Sequence, residues 1–192
     1  RRQRQMCIRD STRTVLAAFD WDGKELKQRW VFDSNNPGCE DYAGQGNHNL
    51  RVGDVDGDGC DEIIYGSCAI DHNGKGLYTT KMGHGDAIHL THFDPSRKGL
   101  QVWDCHENKR DGSTYRDAAT GEVIFQIKDN TDVGRCMAAD IDPTQPGVEM
   151  WSVASGGIRN VKGEVVKDRV RGLSCNMAVW WDAVSYTHLR AH

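Results

Sequence analysis

GDVDGDGCDEIIYG (53–66), THFDPSRKGLQVWD (91–104) and ADIDPTQPGVEMWS (139–152) are three copies of one pattern, an acidic loop running into a short apolar stretch. Asp56, Asp94 and Asp142 mark the copies, 38 and 48 residues apart. Alternating with them is a second pattern: AFDWDGKEL (18–26), AIDHNGKGL (69–77), YRDAATGEV (115–123) and, more weakly, GIRNVKGEV (157–165). Its glycines Gly23, Gly74, Gly121 and Gly163 are spaced by 51, 47 and 42 residues. Each segment reads as strand–turn–strand, with the glycine supplying a positive φ. A repeat of about 45 residues holding four short strands has the size of a β-propeller blade. The expected fold class is therefore all-β. The chain reads as a partial arc of three to four blades from a larger propeller, since nothing in it resembles the closure joining first and last blades.

Composition fits this reading and narrows the function. The 192 residues are 38% hydrophobic and 27% charged, enough apolar material for a packed core. No run of apolar residues is long enough for a membrane-spanning helix. The net charge of −4 argues against a nucleic-acid partner. Residues 1–11 (RRQRQMCIRDS) and 184–192 (VSYTHLRAH) share no pattern with the interior and resemble translated adaptor sequence; the alternative is a native basic arm. Those tails carry four net positive charges, so residues 12–183 alone hold −8 against −4 for the whole chain. An acidic body suits cations. Of seven cysteines, Cys7 lies in the first tail. The other six (Cys39, Cys60, Cys68, Cys105, Cys136 and Cys175) show no zinc-type spacing and read as free, mostly buried thiols. Trp21, Trp30, Trp103 and Trp151 read mainly as blade packing, with the Trp180–Trp181 pair left open to a stacking role.

Asp54, Asp56 and Asp58 have the DxDxDG spacing that gathers hard oxygens around calcium. An EF-hand would need Glu at the twelfth position, where Tyr65 stands, and Ile63–Tyr65 reads as strand. The expected ligands are Asp54, Asp56, Asp58, the Cys60 carbonyl and Glu62. Asp140, Asp142 and Glu149 keep three carboxylates and suggest a second structural calcium. The middle copy has His92 and Gln101 at the corresponding positions and keeps only Asp94, so it is expected to be empty.

A separate constellation sits on Gly-flanked and polar loops: GQGNHN (44–49), MGHGDA (82–87) and CHEN (105–108). Equivalent loops of successive blades meet at one end of a propeller channel, so His48, His84, Asp86, His106 and Glu107 could converge. By donor type alone, two imidazoles with carboxylates suggest zinc, manganese or iron over calcium. The bland alternative is a set of hydrogen-bonded loop histidines.

Together the words GNHN, HGDA, HEN, DVGR and AADIDP resemble polysaccharide lyase family 11, and the likeness extends over nearly all of residues 18–183. The resemblance implies an eight-bladed propeller and a rhamnogalacturonan lyase that uses Ca2+. It implies His48, His84, Asp86 and Glu107 as ligands of a cleft calcium, with His106 a neighbour, and Arg135 of DVGR as a contact to the sugar. The implied substrate is rhamnogalacturonan I, the pectin backbone, cleaved by β-elimination at the rhamnose–galacturonate bond to leave an unsaturated uronate. A secreted or periplasmic, monomeric parent enzyme is implied too. No residue reads as a convincing base: Lys81 and Lys109 would need depressed pKa values, and Arg135 stays protonated. The chain is accordingly expected to be inactive by itself. The competing class is a non-catalytic calcium-binding propeller module for carbohydrate binding or adhesion, which would have no need of the His–Asp–Glu loops.

Overall fold

The structure is a computed structural model and describes residues 13–168 and 174–176. The two expected tails, Cys7 and the Trp180–Trp181 pair lie outside the described residues. Strands β1 (Val15–Trp21) and β2 (Leu26–Asp33) form a two-stranded antiparallel sheet. Next, β3 (Arg51–Gly53), β4 (Glu62–Tyr65), β5 (Cys68–Ile70) and β6 (Gly76–Thr79) form a four-stranded meander. Strands β7 (Ile88–Thr91), β8 (Gln101–Cys105), β9 (Ser113–Asp117) and β10 (Val123–Ile127) form a second. The third comprises β11 (Cys136–Ala139), β12 (Glu149–Ser152), β13 (Gly157–Arg159) and β14 (Val165–Asp168). The all-β class and the four-strand unit stand. None of the four sheets among the described residues is closed on itself, and no helix there is long and apolar enough to cross a membrane.

All four Asp-Gly segments are hairpins, β1–β2, β5–β6, β9–β10 and β13–β14. At Gly74 the requirement is double. Its φ is +82°, and a Cβ there would lie 2.7 Å from the Trp30 ring, so the turn can neither change hand nor carry a side chain. Trp30 in turn donates from Nε1 to the His72 carbonyl at 2.8 Å, pinning the β5–β6 turn to the first sheet.

The middle sheet is covered on both faces, and the period of two in β8 divides its side chains between them. Val102 packs with Val55, Ile64, Ala69 and Ile88 toward the preceding sheet. Trp103 and Cys105 pack with Phe93, Tyr115, Cys136 and Met150 toward the following one. The expected role of Trp103 and Trp151 as packing residues is met, with 0% and 5% exposure. Trp21 departs from it at 63% exposure, on a sheet that among the described residues has two strands only. Among the described residues Cys39, Cys60, Cys68, Cys105 and Cys136 are free thiols, as expected, but only Cys68, Cys105 and Cys136 are buried; Cys39 is half-buried, as is Cys175, and Cys60 is exposed. Cys60 sits in the acidic loop and not on a strand, which is why it escapes the core.

On the Val102 face of β8 lies a charged pair. Asp104 and Arg116 have fully buried side chains, and Arg116 Nη1 donates to Asp104 Oδ2 at 3.1 Å. Arg116 Nη2 donates to the Gly66 carbonyl in the preceding sheet's β4–β5 turn, and Asp104 Oδ1 accepts from Asn47 Nδ2 at 3.3 Å. The pair therefore joins two sheets and the 44–49 loop. Replacing Arg116 alone leaves Asp104 charged and unpaired in the interior. Arg116→Met is expected to destabilise by about 3–5 kcal/mol in urea unfolding, with part of the loss recovered in Arg116→Met combined with Asp104→Leu.

Candidate metal centre

Backbone hydrogen bonds stitch the three histidine- and carboxylate-bearing loops together before any side chain is considered. Asn47 and Gly85 form an isolated parallel bridge. The His48 amide donates to the Gly85 carbonyl and the Gly85 amide to the Gly46 carbonyl, both at 3.3 Å, and the Glu107 amide donates to the His84 carbonyl at 2.9 Å. The loops approach so closely that a Cβ on Gly85 would stand 2.0 Å from the Cys105 carbonyl oxygen. Glycine in HGDA is thus a packing requirement that sets where His84 and Asp86 project.

His48, His84, Asp86 and Glu107 each offer a ligand atom, and these atoms all lie within 4.8 Å of one another. His48 Nε2 is 3.0 Å and His84 Nε2 4.0 Å from Asp86 Oδ1, and His84 Nε2 is 3.7 Å from Glu107 Oε1. The two imidazoles meet edge to face, with centroids 4.9 Å apart. Arg135 Nη1 pairs with Asp86 Oδ2 at 2.5 Å. Asp86 Oδ1, by contrast, is buried and has no hydrogen-bond partner. An orphaned carboxylate oxygen facing two imidazoles and a second carboxylate is the arrangement of a cation site, and the residues fit one.

The electrostatics say the same. Burial, the hydrogen bond to Asp86 and the charges of Asp86 and Asp132 push Glu107 up to about 7, against the lesser opposing pull of Arg135. Burial and the neighbouring His48 hold His84 below its usual value. Without a cation the cluster relieves its negative charge by binding a proton.

His106 lies outside the cluster, buried between Thr114 Oγ1 at 2.9 Å and Ser67 Oγ at 3.4 Å. Lys81 is tied to Asp41 at 2.8 Å, and Lys109 is exposed. Several residues that sequence reasoning passed over line a cleft of about 630 Å³ beside the cluster, among them Asn49, Arg51 and His89, together with Asp86 and Arg135. Arg51, His89 and Met137 come from β3, β7 and β11, the first strands of three successive sheets. Of these only His89 carries a local signal, a histidine between Ile88 and Leu90 on β7.

The acidic loops are less uniform than their spacing suggests. Asp54, Asp56 and Asp58 converge, each with a ligand atom within 4.8 Å of the others. Glu62 does not join them. Its Oε2 accepts from the Val55 amide at 3.0 Å, and its buried, unpartnered Oε1 is grouped with Asp71 and His72. Glu149 caps its own loop in the same way, Oε2 accepting from Ile141 and Asp142 at 2.9 Å each while Oε1 is left unpartnered. Asp140, Asp142 and Glu149 do not draw together into such a group. In the middle copy Gln101 Oε1 accepts from Phe93 and Asp94, and its amide Nε2 donates to the Gly99 carbonyl at 3.0 Å. His92 Nε2 lies 2.8 Å from the Arg97 carbonyl oxygen.

Comparison with known proteins identifies the family. The family described as "Rhamnogalacturonan lyase family 11, C-terminal domain" matches residues 5–192. The chain belongs to rhamnogalacturonan lyase family 11. It is 52% identical over 190 residues to the rhamnogalacturonan exolyase YesX of Bacillus subtilis (strain 168), covering 94% of this chain and 31% of that protein. With the rhamnogalacturonan endolyase YesW of the same organism it shares 49% over 172 residues, 88% of this chain and 27% of that protein. The solved structures of YesW and of a Bacillus licheniformis rhamnogalacturonan lyase PL11 each superpose with a TM-score of 0.84, at 48% and 51% identity, over 90% of this chain and 29% of theirs. The chain thus spans less than a third of the length of these family 11 relatives.

Glu107 gives the cluster a testable pH dependence. Its folded-state pKa is raised, so between 4.5 and about 7 the cation-free folded state holds a proton that the unfolded chain has released. Cation-free stability is expected to fall as pH rises through that window, and cation affinity to rise by up to about tenfold per pH unit before levelling off. Thermal unfolding with and without cation reads the first effect and calorimetry the second; Glu107→Gln should flatten both profiles. Gly85→Ala, which must displace the Cys105 carbonyl, is expected to weaken cation binding by about tenfold or more in the same titration.

Proposed function

We propose that this chain supplies the cleft cation site and a substrate-binding arginine to a calcium-dependent rhamnogalacturonan lyase, which cleaves the rhamnose–galacturonate bond of rhamnogalacturonan I by β-elimination. The observation that carries this reading is Asp86, held at Oδ2 by Arg135 and left unpartnered at Oδ1 between His48, His84 and Glu107. The proton on carbon 5 of galacturonate is only weakly acidic beside an ionised carboxylate. Ca2+ at His48, His84, Asp86 and Glu107 would neutralise that carboxylate and orient the ring. Arg135, half-exposed at the mouth of the same cleft, offers a planar guanidinium suited to a second carboxylate or to sugar oxygens. The cluster holds no lysine: Lys81 is committed to Asp41, so the base that removes the proton is assigned to another part of the parent enzyme.

The same reading treats the sheets as consecutive blades of an eight-bladed propeller. Its support is that β3, β7 and β11, the first strand of each four-stranded sheet, lie side by side in chain order and that all three contribute to one cleft. Structural calcium is proposed at Asp54, Asp56 and Asp58, with the Cys60 carbonyl, and at Asp140, Asp142 and Glu149, whose orphaned Glu149 Oε1 invites a cation. Glu62 would have to turn its Oε1 toward the first loop to complete that set. No cation is proposed in the middle loop, where the Gln101 amide already supplies a donor to the Gly99 carbonyl. A polymeric substrate too large to cross a membrane intact puts the parent enzyme in a secreted or periplasmic location, where a monomer suffices.

Calcium calorimetry of the chain against its His84→Ala/Asp86→Ala variant tests the reading. One site should disappear while the Asp54–Asp58 site persists; unchanged stoichiometry would reduce the cluster to ordinary loop residues. Incubation with rhamnogalacturonan I and calcium should give no ultraviolet absorbance from unsaturated uronate, and its appearance would overturn the assignment of the base to another part of the parent.

A further inference from the structure

The cleft beside the cation cluster is lined by two arginines in different states. Arg135 is committed, with Nη1 paired to Asp86 Oδ2. Arg51, the first residue of β3, is half-buried and makes no ion pair among the described residues. Its one side-chain hydrogen bond there is long, Nη1 to the Leu50 carbonyl at 3.5 Å. Most of the five N–H donors of this guanidinium are therefore left for a ligand. Two neighbours complete the setting. His89 Nε2 lies 3.0 Å from the Cys136 carbonyl oxygen, which can only accept, so this nitrogen carries the proton. Burial, aided by the charge of Arg51 and opposed by the Cys136 carbonyl, holds His89 below its usual value. The ring is neutral at pH 7, and its Nδ1 is an acceptor. Asn49, exposed between His48 and β3, adds a side-chain amide to the same cleft. A planar fork of donors beside an acceptor nitrogen and an amide suits a sugar carboxylate with its ring hydroxyls.

We propose that Arg51, flanked by His89 and Asn49, binds the carboxylate of a second galacturonate, one rhamnose away from the galacturonate that meets the cation. This assignment rests on the lyase reading of the cleft and extends it from the reacting sugar to its charged neighbour. In an alternating polymer every other sugar carries a carboxylate, so a stretch that fills the cleft brings two. The volume of about 630 Å³ lies in the range of pockets that enclose ligands larger than one sugar ring. On that reading the cation and Arg135 serve the reacting galacturonate. The next carboxylate would otherwise stand unpaired near Asp86, Glu107 and Asp132, where like charges repel. Arg51 is the cleft arginine left to receive it. The contact makes Arg51 a specificity-determining residue: it favours an oligosaccharide with two galacturonates over one in which the second is an uncharged sugar.

Calorimetric titration of the chain in saturating calcium tests this, with rhamnogalacturonan oligosaccharides of two lengths, a disaccharide holding one galacturonate and a tetrasaccharide holding two. Arg51→Ala is expected to weaken tetrasaccharide binding by about tenfold while leaving the affinities for the disaccharide and for calcium unchanged. Arg51→Lys, which keeps the charge and loses the fork, should recover part of the loss. Far-ultraviolet circular dichroism verifies that both variants fold. Equal losses for the two oligosaccharides would move Arg51 to the reacting galacturonate, and a loss of calcium affinity would make it a support of the cluster; either result overturns the assignment. If the wild-type chain binds both oligosaccharides and Arg51→Ala changes neither, the Arg51 assignment alone falls. If the wild-type chain, with calcium bound at the cluster, binds neither, the lyase reading of the cleft falls and Arg51 with it.

Discussion

The buried Asp104–Arg116 pair is the constraint from which the position of the cleft cluster follows. Both side chains are withdrawn from water, a large desolvation cost that only good geometry and further hydrogen bonds offset. The pair obtains two of those bonds from outside its own sheet. Arg116 reaches the Gly66 carbonyl, and Asp104 takes the Asn47 amide. Asn47 precedes His48, so the charge that stabilises the sheet boundary also fixes the loop presenting one of the ligands. His106, bound to Thr114 and placed against Ser67, extends the same polar seam between the two sheets. The seam explains why a histidine in CHEN is structural while the neighbouring Glu107 joins the cluster.

A second constraint recurs three times. Glu62, Gln101 and Glu149 open the second strand of their sheets, are fully buried, and accept backbone amides from the acidic loop that precedes them. A side-chain oxygen at this position holds the loop closed whatever else the loop contains. What differs is the second atom of the terminal group. In the two glutamates it is an unpartnered oxygen; in Gln101 it is an N–H donor already bonded to a carbonyl two residues back. One chemical exchange, oxygen for NH2, replaces an unpartnered acceptor by an internal hydrogen bond.

Much of this was legible in the sequence because it depends on local chemistry. Gly74 and its three counterparts announce hairpins, since their turns need positive φ, and all four hairpins form. The glycine-flanked or polar words GNHN, HGDA and HEN made a converging cluster possible, since polar residues on tight loops have few places to go, and His48, His84, Asp86 and Glu107 do meet while His106 does not join them. What escaped depends on distance in the chain. Nothing local marks Arg116 as the partner of Asp104, or Arg135 as the partner of Asp86. Neither does spacing tell that Glu62 turns its free oxygen to His72 and not to Asp54, because that choice is made by the packing of another hairpin. Cys60 and Trp21 escaped because composition alone does not reveal which side chains a loop or a two-stranded sheet leaves exposed.

The cleft also carries an argument about order of binding. Asp86, Glu107 and Asp132 place negative charge around a mouth that Arg51 and Arg135 also line, and Arg135 is already engaged by Asp86. A galacturonate polymer brings further carboxylates to this spot, and like charges at short range repel strongly where solvent is excluded. On the proposed reading, therefore, the polyanion meets an unfavourable surface until a divalent ion is present. The ion does two things at once. It removes the charge that otherwise makes Glu107 hold a proton, and by taking the free oxygen of Asp86 it weakens that carboxylate's hold on Arg135. Cation first and polymer second is the sequence that this distribution of charge favours, and it makes the arginine available only in the state in which the substrate carboxylate can also be neutralised.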